Sequence, residues 1–302
     1  MNREKKIVQC IPNFSEGKNK DIIQKIIEPF QKNNNLTFLD FQADEDHNRL
    51  VVTLMGDPKA IKPPLLDAIG IAVDKIDMRH HKGAHPRMGA VDVVPFVPVK
   101  HMSMAEAVLF SKEVASEMAN RYTLPVFLYE ASASSPERKN LSDIRKGEFE
   151  NLKEKMKNPA WKPDFGPDMP HATAGVSAVG ARMPLVAFNV NLHTQDLKIA
   201  DAIAGKVRFS GGGLRYCNAI GVALKEKKMV QVSMNMTDYT KSSLYRVFEL
   251  IHIEAKRYGV AISGSEIVGL SPMQALTDVA AYYLRLENFS IDQVIESKLS
   301  VE

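Results

Sequence analysis

Cysteine is scarce in this chain. Its two copies, Cys10 and Cys217, sit far apart in 302 residues. With no Cys-x-x-Cys and no Cys/His ligand spacing around them, they exclude a disulfide framework and a zinc module, and a reducing cytoplasm is the simplest home. Long apolar runs are missing as well: nothing approaches the roughly 18 uninterrupted apolar residues of a bilayer-spanning helix. The start Met1-Asn2-Arg3-Glu4-Lys5-Lys6 resembles a signal n-region. The apolar run behind it breaks at Pro12-Asn13, before an h-region of about 7 to 15 residues can form. Excess charge is small too, a formal +3, too little by itself to imply a nucleic-acid or membrane-surface partner. What remains is 45% hydrophobic and 25% charged residues, the composition of a globular protein long enough for two compact units.

Patterning along the chain supports two halves of one rhythm. The run 7–12 reads as a strand stopped by Pro12 and Asn13, and 21–31 as an amphipathic helix through Ile22, Ile23, Ile26, Ile27 and Phe30. Strands are expected at 36–41 and 49–55 around the polar tract 42–48, then a helix over 60–76 and a Val-rich strand over 90–99. The order is βαββαβ, the split-βαβ unit. A helix over 103–122 and a strand over 125–129 extend it. The same order returns with strand 185–192, helix 195–207, a hairpin of 220–224 and 230–236 around the turn 225–228, helix 240–258 and strand 261–268. The expected fold is therefore α+β, two ferredoxin-like (βαββαβ) subdomains over 1–182 and 183–302, each an antiparallel sheet with helices on one face. The stretch 131–182, rich in Ser, Lys, Pro and Gly and holding the only tryptophan, Trp161, reads as a loose linker or a functional loop.

The densest chemistry lies at 77–92. Three of eight histidines, His80, His81 and His85, fall within six positions among Arg79, Lys82 and Arg87. Three readings stay open. The segment is a solvated basic connection; or its imidazoles bind a metal, although the His-Glu-x-x-His helix signature is absent and Pro86 interrupts a helical face; or one histidine is a general base in a loop that binds anions. In the third reading the neighbouring cations lower the fraction of imidazolium, and the substrates are small acids. Arg79, Lys82, Arg87 and Arg182 are then candidate carboxylate contacts. A second candidate, 164–175, carries the Gly, Pro and small residues that let backbone N–H groups approach a flat ligand, with a turn-rich linker as its plain alternative. The glycine run Gly211-Gly212-Gly213 fits neither a P-loop nor a G-x-G-x-x-G fingerprint.

Several segments together resemble the glutamate formiminotransferases. Cys10-Ile11-Pro12-Asn13-Phe14-Ser15-Glu16-Gly17-Lys18 is similar to their amino-terminal signature, His85-Pro86-Arg87-Met88-Gly89-Ala90-Val91-Asp92-Val93 to their active-site loop, and Pro163-Asp164-Phe165-Gly166-Pro167 to their folate loop. Gly180-Ala181-Arg182, Ala187 to Leu192, Gln231 to Asn235 and Val268 to Pro272 continue the likeness. The resemblance implies transfer of the formimino group from N-formimino-L-glutamate to N5 of tetrahydrofolate, in histidine catabolism. It further implies folate as co-substrate in a groove between subdomains, a homodimer, no metal, and small-molecule partners rather than nucleic acid or membrane. With the chain stopping at Glu302, the cyclodeaminase domain of some relatives is expected to be absent, and a separate cyclodeaminase is a possible partner. By position, the catalytic histidine falls on His85. Folate contacts fall on Gly166, Pro167, Asp168, Met169, Pro170, His171, Ala172, Thr173, Ala174 and Gly175, and on Lys206, Val207 and Arg208. One departure stands out: Gln42 occupies the place of a second mechanistic acid, a role that passes to Asp40 or Asp44 or is not needed. Formyl transfer, cyclisation of 5-formyltetrahydrofolate, and folate binding without turnover are the alternatives.

Overall fold

The computed structural model describes residues 5–224 and 227–298, so Met1 to Glu4 and half of the turn expected at 225–228 lie outside the described residues. The chain divides into two units that meet between Arg182 and Met183.

In the first unit, β1 (Ile7–Cys10) lies within the strand expected over 7–12, and an unexpected short strand, β2 (Asn13–Phe14), follows the break at Pro12. Proline cannot donate to a ladder, so the strand breaks there. Helix α1 (Lys20–Gln31) starts where the Asn19 side chain accepts from the Asp21 and Ile22 amides, and it buries Ile23, Ile26, Ile27 and Phe30. The hairpin β3 (Leu36–Asp44) and β4 (Arg49–Gly56) follows. Helix α2 (Pro58–Lys75) begins two residues earlier than expected, because Asp57 caps it and Pro58 fits its first turn. Then come β5 (Val91–Lys100), α3 (Met104–Tyr122) behind a Ser103/Glu106 capping box, and β6 (Val126–Leu128).

The stretch 131–182 is not a loose linker. It carries the short helices α4 (Leu141–Arg145) and α5 (Leu152–Lys155) and ends in a fully buried strand, β7 (Ser177–Ala181). In the sheet, β3 pairs β4, the split strand β1/β2 lies between β4 and β5, and β7 and then β6 continue beyond β5. The pairs β5–β7 and β6–β7 are parallel, so the expectation of a purely antiparallel sheet is corrected to a mixed one. Helices on one face alone is corrected too. The principal core joins α1, α2 and α3 to one sheet face. A separate cluster covers the other face at β5, β6 and β7, packing Ile144, Leu152 and Met156 on Val93, Phe127, Val176 and Ala178, with Trp161 against it. Strands apolar on both faces must be covered on both, and the stretch read as a linker supplies that cover.

The second unit runs β8 (Val186–Leu192), α6 (Leu197–Val207), β9 (Cys217–Leu224), β10 (Met229–Met236), α7 (Leu244–Arg257), β11 (Ile262–Val268) and α8 (Met273–Leu284). Its strand order is β11-β8-β10-β9, antiparallel throughout. Helix α6 starts at Leu197 after its cap Asp196, two residues into the expected span, and β9 reaches three residues further back, to Cys217. Ala200, Ile203 and Ala204 of α6 and Val247, Ile251 and Ala255 of α7 share one core with the sheet. No helix among the described residues is long and apolar enough to cross a membrane.

Candidate active site

The candidate site occupies the sheet face of the first unit opposite α1 and α2, at the end where β2, β4 and β5 meet. Along β4, Leu50, Val52 and Leu54 are buried toward the helices, so the alternate residues Arg49, Val51 and Thr53 face the other way. Cross-strand register places Asp44, Gln42 and Asp40 opposite Arg49, Val51 and Thr53, and Asn13 opposite Val51 from the other side. One face therefore collects Asn13, Asp40, Gln42, Asp44 and Arg49.

Arg49 is pinned on this face. Its Nε donates to Asn13 Oδ1 at 2.9 Å and Nη2 reaches the same oxygen, while Asn13 Nδ2 donates to the Ile11 carbonyl at 2.7 Å. The Nη1 edge of the guanidinium lies against the ring of His85. His85 Nδ1 is 2.6 Å from the Pro86 carbonyl oxygen. Arg49 Nη1 approaches both ring nitrogens; the Pro86 carbonyl, which only accepts, favours the neutral tautomer with the hydrogen on Nδ1 and the lone pair on Nε2. Buried Asp92 accepts the Met88 amide on Oδ1 at 3.0 Å and Arg145 Nη2 on Oδ2, and Arg49 Nη1 lies 4.0 Å from that same Oδ2. Two guanidiniums thus share one carboxylate beside the imidazole. Burial, then Arg49, then Arg145 push His85 down from 6.5 to about 4, against the opposing pull of Asp92. The ring is neutral at pH 7. Burial likewise lowers Arg49 to about 10.

The loop that carries His85 is stitched on two sides. On one side, the Ala84 amide donates to the Asp46 carbonyl at 3.0 Å, Asn48 Nδ2 donates to the Lys82 carbonyl at 3.0 Å, and His81 Nε2 is 2.9 Å from the Asn48 carbonyl oxygen. Gly83 permits this approach: a Cβ there would lie 2.2 Å from the His47 carbonyl oxygen. On the other side, the Met78 amide donates to the Thr173 carbonyl at 2.8 Å, Ala90 N–H to the Ala174 carbonyl at 2.9 Å, and Val176 N–H to the Met88 carbonyl at 3.1 Å. The two densest segments in the sequence, 77–92 and 164–175, are thereby joined into one structure. Within 166–175, Gly166 and Gly175 adopt positive φ, +88° and +70°, a region that glycine enters without a Cβ penalty. His171 Nδ1 accepts from the Ala174 amide at 3.0 Å and closes the loop end, whereas Met169 projects into solvent. Asp164, just before it, is bonded to buried Arg138 at 2.8 Å.

The basic side chains divide. Arg87 is buried, with Nη1 on Glu148 and Glu150, Nη2 on Glu150 and the His81 carbonyl, and Nε 3.3 Å from His81 Nδ1. With those donors engaged on Glu148, Glu150 and the His81 carbonyl, it braces the loop from inside. Arg79 is exposed and bonded to Asp77, which it holds down at about 2. Lys82 is exposed beside His81, and Arg182 bears on buried Tyr129 and Glu130. In the second unit, Lys206 is exposed, Val207 has its side chain in the core, and Arg208 Nη1 reaches the Ala219 carbonyl at 3.3 Å. A ligand contact at Val207 would be through backbone alone. Gln42 is exposed and donates to Asp40 Oδ2 at 3.2 Å. Among the described residues, no three His, Cys, Asp or Glu side chains gather as a metal site.

Sequence reasoning missed Asn13, Arg49, His47 and Arg145 as site residues. Arg49 had a signal, being the polar member of the outward alternation Arg49-Val51-Thr53. Arg145 had none, because its segment looked like a linker.

Known proteins bear on this geometry. The family model for the formiminotransferase domain, N-terminal subdomain, matches residues 7–182, and that for the formiminotransferase domain matches 187–301. A glutamate formimidoyltransferase of Streptococcus pyogenes is 51% identical over 97% of this chain and 99% of that protein. One from Thermoplasma acidophilum is 42% identical over 97% of each. A formimidoyltransferase-cyclodeaminase of Dictyostelium discoideum is 41% identical, covering 98% of this chain and 56% of that one.

Proposed function

The chain belongs to the formiminotransferase family, and from that premise we propose how its first unit transfers a formimino group from N-formimino-L-glutamate to tetrahydrofolate. The observation that carries the reading is the neutral His85 held against the Arg49 guanidinium. Both substrates are carboxylates, and a carboxylate competes for Arg49 with a stronger, charge-assisted bond than an imidazole nitrogen makes. Binding draws Arg49 off Nε2 and uncovers the base. N5 of the pterin then bonds to the formimino carbon and gives its proton to Nε2. The bond from that carbon to the glutamate nitrogen breaks, and His85 returns the proton to the departing nitrogen. Holding both reactants in one orientation contributes as much, about 7 to 11 kcal/mol of barrier in favourable systems.

The glycine-rich loop 166–175, docked on the His85 loop, is the folate cradle in this reading, with Lys206 to Arg208 as a second contact. Arg79, Lys82 and Arg182 are candidates for the outer carboxylates. The order β11-β8-β10-β9, and β3-β4-β1-β5 within the larger sheet, support a ferredoxin-like core in each unit. Further parts of the same proposal are a place in histidine degradation, a cytoplasmic homodimer, a reaction without metal, and hand-over of product to a cyclodeaminase. The test is incubation of the protein with tetrahydrofolate and formiminoglutamate while the 5-formimino product is followed spectrally. Turnover is expected, with a His85→Asn loss of about 10²- to 10⁴-fold in kcat. A variant within about threefold of the parent removes His85 from the role of base.

A further inference from the structure

A second imidazole stands beside His85, and neither the composition nor the motifs of the chain point to it. His47 lies in the β3–β4 turn, its ring centre 6.2 Å from that of His85, edge to face at 62°. Asp44 holds it in two places, accepting the His47 amide on Oδ1 at 2.8 Å and the ring Nδ1 on Oδ2 at 2.9 Å. A carboxylate only accepts, so Nδ1 carries the hydrogen and Nε2 is left for exchange. The juxtaposition is built rather than incidental, since the Ala84–Asp46 and Asn48–Lys82 bonds and the missing Cβ of Gly83 clamp this turn to the loop that bears His85.

We propose that His47, oriented by Asp44, exchanges protons with His85 and connects it to bulk water during turnover. The inference rests on the reaction proposed above. There, glutamate leaves as an amine after receiving the N5 proton through His85. It becomes an ammonium only by taking one more proton, which comes from water. His47 is half exposed, and with both substrates filling the space over His85 the path runs from solvent to His47, to His85, to the product nitrogen. A single bridging water would suffice to span ring centres 6.2 Å apart. Arg49 from β4, Asp92 from β5 and Arg145 from α4 are the charged groups beside His85. Asp44 is the charged group bonded to His47, and the His47 contacts hold the Asp44 carboxyl below its ordinary value. His47 does not touch the reacting atoms in this scheme and acts through His85.

The experiment compares the parent, His47→Ala and Asp44→Asn for kcat, both KM values and the pH profile, with and without free imidazole. Expected are a loss of about tenfold in kcat for His47→Ala with KM held within about twofold, recovery on adding imidazole, and a smaller loss in the same direction for Asp44→Asn, which keeps an acceptor for the turn amide. A His47→Ala variant that matches the parent across the profile overturns the relay. So does a loss that imidazole does not repair and a lowered Tm accompanies. A parent that forms no 5-formimino product at all refutes the reaction itself, which separates the two failures.

Discussion

Substituting Arg49 tests the electrostatic account of His85 directly. The imidazole titrates at about 4 instead of 6.5, with burial the largest cause, Arg49 the next and Arg145 the third. Arg49→Gln removes the second cause and part of the first, because the guanidinium itself covers the ring. Both changes favour the imidazolium. Asp92 and Arg145 remain, so the recovery is partial: the His85 pKa is expected to rise from about 4 to about 5, equivalent to about 1.4 kcal/mol between the two protonation states. Arg49→Lys keeps a charge while losing the flat cover, and its value should fall between parent and Arg49→Gln.

The assay is an NMR titration of the histidine ring Cε1–H signals, with His85 assigned by its absence in His85→Gln. A parallel profile of kcat/KM should show its acidic limb move upward with the NMR value. In the parent, bound carboxylates offset the two guanidiniums, so the limb of kcat should lie at higher pH than the limb of kcat/KM. Native His85 titrating near 6.5, or an Arg49→Gln value no higher than the parent's, refutes the reasoning.

Folding stability carries the same signature. Between pH 6.5 and about 4 the unfolded chain binds a proton at His85 that the native state refuses, so stability is lost as pH falls through that window, by at most about 3 kcal/mol. Unfolding free energies of parent and His85→Gln from urea titration, compared at both ends of the window, should diverge by up to that amount, and parallel curves would contradict it. Arg87→Met leaves Glu148 and Glu150 without their shared cation; since both carboxylates reach water, a loss of about 2 kcal/mol is expected by denaturant titration, with kcat lowered through the loop. Gly89→Ala puts a Cβ 2.0 Å from the Val176 carbonyl oxygen; the two loops should separate, seen as faster amide exchange at Ala90 and Val176 and a raised KM for folate.

What the sequence made legible follows from where one physical signal dominated. The helices of both units were readable because their apolar period is set by one buried stripe, as with Ile23, Ile26, Ile27 and Phe30 in α1. The His85 loop was readable because basic side chains and imidazoles are rarely so dense. The strand β7 was not: Ser177-Ala178-Val179-Gly180-Ala181 is buried on both faces by small residues and shows neither alternation nor β-branched enrichment. The internal pairing of Arg87 was not readable, because composition reports a cation without its partners and Glu148 and Glu150 lie more than sixty positions away. His47 was passed over as one polar residue in a polar turn. Its meaning depends on a register that brings Asp44 opposite Arg49 and on the clamp between two loops.

Packing and chemistry are coupled through the segment that covers the second sheet face. Ile144, Leu152 and Met156 dock there because β5, β6 and β7 have apolar side chains on both sides. The same short helices and their connections deliver Arg145 to Asp92, and Glu148 and Glu150 to Arg87. Without that cover, Asp92 would face Arg49 alone and the loop bearing His85 would lose its buried strut. The charge balance around His85 is thus a consequence of closing the core, and an apolar-to-polar change at Ile144 should disturb the titration of His85 along with the fold.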